Sequence, residues 1–290
     1  MLINSTDFYS NYQVNYYDYK QLSLKYLLNN YQNLKLNERI LNYSDNDFLR
    51  TIKSDIRQTY LHSIETVFDL IYSLTPKKNG TISERHILET ISKGTFHYDK
   101  ISKIATEKDQ ALKFLDDEVT FSDGNKTSLI HFLFYRGSVM TTEIEDSLTA
   151  IKHCLILLAN DFSDRDEYNS YKHTLKIFPN FDQFKLKSID TDSINSTFDV
   201  SDSVTFFRKD KKTGKETLVT KVFDTERDLK MTSISSDLIW NIIMPRKLIF
   251  SKKERTSNEI ELVLFLMKDI KEKSNRNIKV NDLKLTFEPE

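Results

Sequence analysis

Along this chain the clearest alternation of apolar and polar positions runs from Asp47 to Leu74, DFLRTIKSDIRQTYLHSIETVFDLIYSL. At about 100° per residue, Leu49, Ile52, Ile56, Tyr60, Ser63, Ile64, Val67, Leu70, Ile71 and Leu74 fall on one arc, the stripe of a helix packed against a core. Asp55, Gln58, His62, Glu65 and Asp69 occupy the other side. Asp45 or Asp47 can cap the start, and Pro76 with Gly80 ends the helix, because Pro cannot continue the hydrogen-bond ladder. Upstream, Tyr19, Leu22, Tyr26, Leu27 and Tyr31 recur at helical spacing, which predicts a first helix packed on the central one.

Downstream, the pattern predicts a short helix over 83–93 closed by Gly94, and another over 99–115. The run 127–136, TSLIHFLFYR, fits strand or helix, and its context favours helix. Over 141–160 a threonine cap, acidic residues in the first turn and the stripe Ile144, Leu148, Ile151, Leu155 and Leu158 predict a second long core helix. A loop and short helix follow over 161–176. From residue 188 the character changes, with a stretch to 203 rich in Ser, Asp, Thr and Asn that reads as loop or hinge. Next, VTFFRKDKKTGKETLVTKVF (204–223) is a hairpin signature, and 278–287 alternates as a strand able to pair with it. Between them, helices are expected over 225–249, bent or broken near Pro245, and over 258–273. The fold class is therefore mainly α, with a helical bundle over 1–187 and a smaller C-terminal α+β portion over 188–290.

Composition narrows the classes. With 290 residues the chain can bury a large core, and its net charge of -1 gives no whole-protein steering toward nucleic acid or membrane. One cysteine, Cys154, excludes an internal disulfide and a multi-cysteine zinc site. The start lacks the basic and apolar segments of a secretory signal, and CLILLA and LVLFLM are far below the roughly 20 residues of a membrane span. A cytoplasmic protein with no membrane association is expected. Five dispersed glycines form no phosphate-cradling loop, and no cofactor is expected. His62 with Glu65, and His86 with Glu89, give His-x-x-Glu, but the Glu-x-x-His order of a carboxylate-bridged bundle site is absent, so no metal is expected.

Arg57 and His62 form R-x4-H on the central helix, and here the sequence resembles the HEPN superfamily of small helical bundles, many of them metal-independent ribonucleases in bacterial defence systems. The resemblance implies a HEPN-like bundle, a homodimer whose arginines and histidines meet in a cleft, and RNA as substrate. Arg57 would hold the phosphate through its planar fork while His62 exchanges a proton. Gln58 follows the arginine, where the family often carries Asn, Asp or His, and is placed with the substrate-binding residues. Asn169, Lys172 and His173 resemble an Asn-x-x-Lys-His cluster of HEPN-like proteins, and at i, i+3 and i+4 they share one helical face able to bind phosphate. Each set also has a structural reading: Arg57 borders the stripe with a buried stem, His62 contacts Glu65, and YNSYKH is a polar face. The basic run Arg208, Lys209, Lys211, Lys212 and Lys215 at the hairpin tip suits phosphate backbone or a solvated turn, and Trp240 suits a core anchor. Two functions follow: a bacterial defence-type protein cleaving or binding RNA, or a non-catalytic helical interaction module contacting a partner protein through its C-terminal portion.

Overall fold

The computed structural model describes residues 5–33, 44–76, 82, 84, 87–92, 97–120, 126–172, 177–179, 183–187, 194–200, 202–209, 214–250, 260–276 and 282–287. The protein is mainly α, with antiparallel β-hairpins in its C-terminal part. Its helices are α1 (Ser5–Asn11), α2 (Tyr16–Asn30), α3 (Asp45–Leu74), α4 (Ile87–Ser92), α5 (Tyr98–Glu107), α6 (Leu129–Phe134), α7 (Thr142–Phe162), α8 (Arg165–Lys172), α9 (Thr225–Phe250) and α10 (Met267–Ser274). The strands are β1 (Glu118–Thr120), β2 (Lys126–Ser128), β3 (Ile177–Pro179), β4 (Gln183–Lys187), β5 (Ile194–Asp199), β6 (Ser203–Lys209), β7 (Glu216–Val222) and β8 (Asp282–Phe287). Among the described residues no helix is long and apolar enough to cross a membrane.

Two compact units interleave along the sequence, one from 1–20, 60–163 and 230–275, the other from 21–59, 164–229 and 276–290. Three of their boundaries fall inside α2, α3 and α9, and the sequence boundary at 187/188 lies within the second unit's 164–229 stretch.

In the first unit the C-terminal part of α3 buries Ile64, Val67, Leu70, Ile71 and Leu74, as its stripe predicts. Every residue of α6 is buried, so this run had no polar face by which its period could be read. Ser128 caps α6 by accepting the His131 amide, and Thr141 caps α7 by accepting the Ile144 amide, each at 3.4 Å. Buried Tyr60 donates to Asp161 across 2.6 Å, joining α3 to α7.

Arg246, fully buried on α9, donates to the carbonyls of Leu133 and Phe132 at 3.0 Å and of Ile242 at 2.6 Å. Its Nε lies 3.0 Å from Glu84, which also takes Arg136 at 2.8 Å. This anchorage sits immediately after Pro245, and α9 continues through the proline, so the helix is not broken there. The proline costs one amide donor, while Arg246 ties the final turn to α6.

The helix expected over 258–273 begins only at Met267. Before it the backbone is claimed by side chains: Tyr135 and Asn241 donate to the Val263 carbonyl, Asn241 accepts the Val263 amide, Ser147 accepts the Phe265 amide and Trp240 donates to Glu261. Those bonds replace the helical ladder and hold the segment non-helical. Trp240 is half-buried.

In the second unit, Leu24, Ile52 and Ile56 form a core cluster joined by Leu27, Leu28, Tyr31, Phe48 and Leu229. A four-stranded antiparallel sheet runs in the order β3-β6-β7-β8. Phe206 faces Val219 and Thr205 faces Thr220, whose hydroxyls bond at 2.8 Å. The predicted hairpin is β6–β7, with Gly214 at φ +71° beside β7, and the predicted final strand pairs with β7 as β8. Part of the expected loop over 188–203 is instead β5, paired with β4.

The stripe that marks the first helix in the sequence is largely turned outward. On α2, Tyr19, Leu22 and Tyr26 are 55%, 68% and 62% exposed, whereas Tyr17 and Leu24 are buried. This helix is apolar on two sides, so spacing alone could not choose the packed one.

On α9, burial pushes the Asp237 carboxyl up to about 6, with Lys273 opposing the shift and Asp18 adding to it. A folded-state value above the ordinary 3.8 means the folded chain holds this proton more tightly. Ionisation therefore costs stability above about pH 6, and the cost fades as pH falls toward the unfolded value. Asp237→Asn is expected to raise Tm at pH 7.5 by roughly 2 °C, on the order of 1 kcal/mol after discounting for solvent screening. Melting curves at pH 7.5 and near pH 4 check this, since the gain should vanish at the lower pH.

Candidate functional site

Arg57 points into the second unit. Its Nε donates to Glu167 at 2.8 Å, its Nη2 reaches the other Glu167 oxygen at 3.4 Å, and its Nη1 donates to Asp228 at 2.9 Å. Both carboxylate side chains are 2% exposed. The planar fork that could grip a phosphate thus grips Glu167 and Asp228, tying α3 to α8 and to the start of α9.

The ion pairs continue outward. Lys221 lies 3.7 Å from Glu167 and 3.5 Å from Asp164, and Arg208 donates to Asp164 at 2.6 Å. Asp164 also accepts the Glu167 amide at 3.2 Å, capping α8. A small cavity of about 20 Å³, room for roughly one water, opens beside the Arg57 pair. Tyr171, Lys221, Arg227 and Arg276 line it with Asp224 and the two carboxylates. Buried Tyr171 has a hydroxyl with no hydrogen-bond partner there, and burial holds it well above the ordinary tyrosine range, with Glu167 adding to the shift.

The other sequence candidates are dispersed. Five positions along α3 rotate His62 roughly 140° from Arg57, and His62 belongs to the first unit's part of that helix. It is half-buried, and its carbonyl accepts hydroxyls from Tyr17 and Thr66, each at 3.0 Å. Gln58 is half-buried. Asn169 is half-buried on α8; Lys172 ends that helix with its side chain outside the described residues, and His173 lies outside them entirely. Of the basic run, Arg208 is committed to Asp164, while 210–213 lie outside the described residues.

A concave site that the sequence reading did not assemble lies in the first unit. A cleft of about 330 Å³ is lined by Tyr72 of α3 and Thr75 just after it, by Lys100, Lys103 and Glu107 of α5, and by Ala111 and Phe114 beyond α5. That volume is at the lower end of the range for small-molecule pockets, and its walls are mainly apolar. The Tyr72 and Phe114 rings stack with centroids 5.9 Å apart and planes 20° from parallel. Lys100 Nζ sits 4.6 Å from the Tyr72 centroid, a cation–π contact worth about 0.5–1 kcal/mol at an exposed site. His97 packs against Tyr72 at 4.7 Å; burial, and after it the Lys100 charge, hold its imidazole below the usual histidine range.

Local sequence explains how the wall is made. Lys100, Lys103 and Glu107 are spaced i, i+3 and i+7, which sets them on one face of α5. At the end of that helix Lys108 takes φ 51° and ψ -123°, a conformation costly for a residue with a Cβ, and the chain turns there toward Ala111 and Phe114. The α5 spacing was available as a signal in the sequence. That Tyr72 and Phe114, 42 positions apart, share a wall was not.

No protein-family model, no curated protein and no solved structure matches the chain.

Proposed function

We propose that this protein is a non-catalytic helical interaction module, in which Arg57 fastens the fold. The observation supporting this reading is that the Arg57 guanidinium is taken up by two buried carboxylates at 2.8 and 2.9 Å. An arginine that stabilises developing charge on a phosphate must offer its donors to substrate, and here Glu167 and Asp228 occupy them. A second reading, metal-independent RNA cleavage or RNA binding by a HEPN-like homodimer, draws on the cations Lys221, Arg227 and Arg276 around the cavity beside Arg57.

One experiment separates the two. Purified wild type, Arg57→Ala and His62→Ala are incubated with a mixed RNA pool in EDTA, and the same samples are melted. The module reading expects intact RNA in every sample, with Tm lowered in Arg57→Ala alone. Cleavage by wild type leaving cyclic-phosphate ends, lost in a His62→Ala variant of unchanged Tm, would establish the ribonuclease.

A further inference from the structure

The aromatic cleft between α3 and α5 has the chemistry of a nucleotide site. We infer that it binds one nucleoside phosphate unit, with the base on the Tyr72–Phe114 wall, the ribose hydroxyls toward Glu107 and the phosphate toward Lys100 and Lys103. This inference concerns a different site from the Arg57 cluster and stands whichever reading of that cluster holds.

Three features select this ligand class together. The wall of Tyr72 and Phe114, completed by Ala111 and Thr75, is aromatic and mainly apolar, which favours a planar aromatic ring through stacking and burial. A lipid tail or an aliphatic ligand would satisfy the wall but leave the rim unused. The rim carries two ammonium groups, both exposed, and their charge is what a phosphate neutralises. Beside the lysines on the same face of α5, Glu107 offers an acceptor, which suits a ligand with hydroxyl donors and would repel one bearing only anionic groups. An aromatic ring, hydroxyls and a phosphate within about 330 Å³ describe one nucleotide.

Lys100 supplies the means of entry. Its ammonium now lies over the Tyr72 ring, where it competes with an incoming base for that ring. A phosphate at the rim offers that ammonium a charge-assisted hydrogen bond, stronger than its contact with the ring, so moving Lys100 to the phosphate uncovers Tyr72 for stacking. Base and phosphate therefore act together, and either fragment alone should bind poorly. His97 packs against Tyr72 and does not line the cleft, so it serves as a positioning residue.

The test is titration calorimetry of the full chain at low salt with four probes: AMP, adenosine, inorganic phosphate and a single-stranded oligoadenylate. AMP is expected to bind saturably, adenosine about tenfold more weakly or worse, and inorganic phosphate not at all over the same range. Binding of AMP assigns the site to free nucleotides, while binding of the oligomer alone assigns it to a nucleotide within a strand; both keep the inferred chemistry. Lys100→Ala with Lys103→Ala, two exposed changes that leave the wall intact, should weaken binding about tenfold or more. Ala111→Trp, which fills the cleft, should abolish it. A chain that binds neither AMP nor oligomer, or binds them equally well in these variants, would overturn the inference.

Discussion

Replacing Arg57 with Ala is expected to destabilise the protein by about 3–5 kcal/mol, the loss typical when one partner of a buried ion pair is removed. The cost comes chiefly from what remains. Glu167 and Asp228, each 2% exposed, would keep their charges in the interior after losing the guanidinium that contacts both. Lys221, 3.7 Å from Glu167, is too distant to replace a bidentate contact. At roughly 2–4 °C per kcal/mol, Tm should fall by about 6 °C or more. Thermal melts check the size, and a double-mutant cycle checks the cause: Asp228→Asn in the Arg57→Ala background should restore part of the loss, because it removes one of the two buried charges that Arg57 compensates. An Arg57→Ala protein as stable as wild type would mean that the pair holds nothing together, and the module reading would lose its support.

Arg246→Met should be nearly as costly, at about 3 kcal/mol or more, for a different physical reason. Methionine keeps much of the volume but none of the donors. The carbonyls of Phe132, Leu133 and Ile242 would each lose the hydrogen bond that Arg246 gives them, in a site this side chain reaches with no exposure. Glu84 would keep Arg136 at 2.8 Å, so the carboxylate is not left alone and the loss falls on the backbone groups. The guanidinium also lies 4.8 Å from the Phe132 ring centroid, a contact that methionine replaces with a weaker one. Urea unfolding of the two proteins measures the difference, and hydrogen exchange should show the end of α9 opening first, since Pro245 already denies the turn before it one amide.

Much of the fold was legible in the chain because the signals are local. Asp45 to Leu74 forms the helix its stripe requires, Thr141 caps α7, and two β-branched runs around Gly214 pair as β6 and β7. The departures share a cause. Residues 260–266 satisfy a helical apolar pattern, yet Asn241, Tyr135 and Ser147 supply hydrogen bonds from distant positions and the helix starts later. Tyr19, Leu22 and Tyr26 satisfy a packing stripe, yet Tyr17 and Leu24 are the buried residues.

The candidate site divides the same way. Arg57 could be singled out by residue type and spacing, and its structural reading, a side chain bordering the stripe, was available beside the chemical one. Its partners were not, because Glu167 and Asp228 lie 110 and 171 positions away and carry no mark in the sequence. By itself the sequence determined where most helices and the main hairpin form, since capping, periodicity and turn residues act within a few positions. Tertiary structure alone decided which face of α2 is buried, that the two units are assembled from interleaved stretches, and that Tyr72 meets Phe114 beside a basic rim. Burial and ion pairing depend on which distant surfaces meet, and no local pattern encodes that choice.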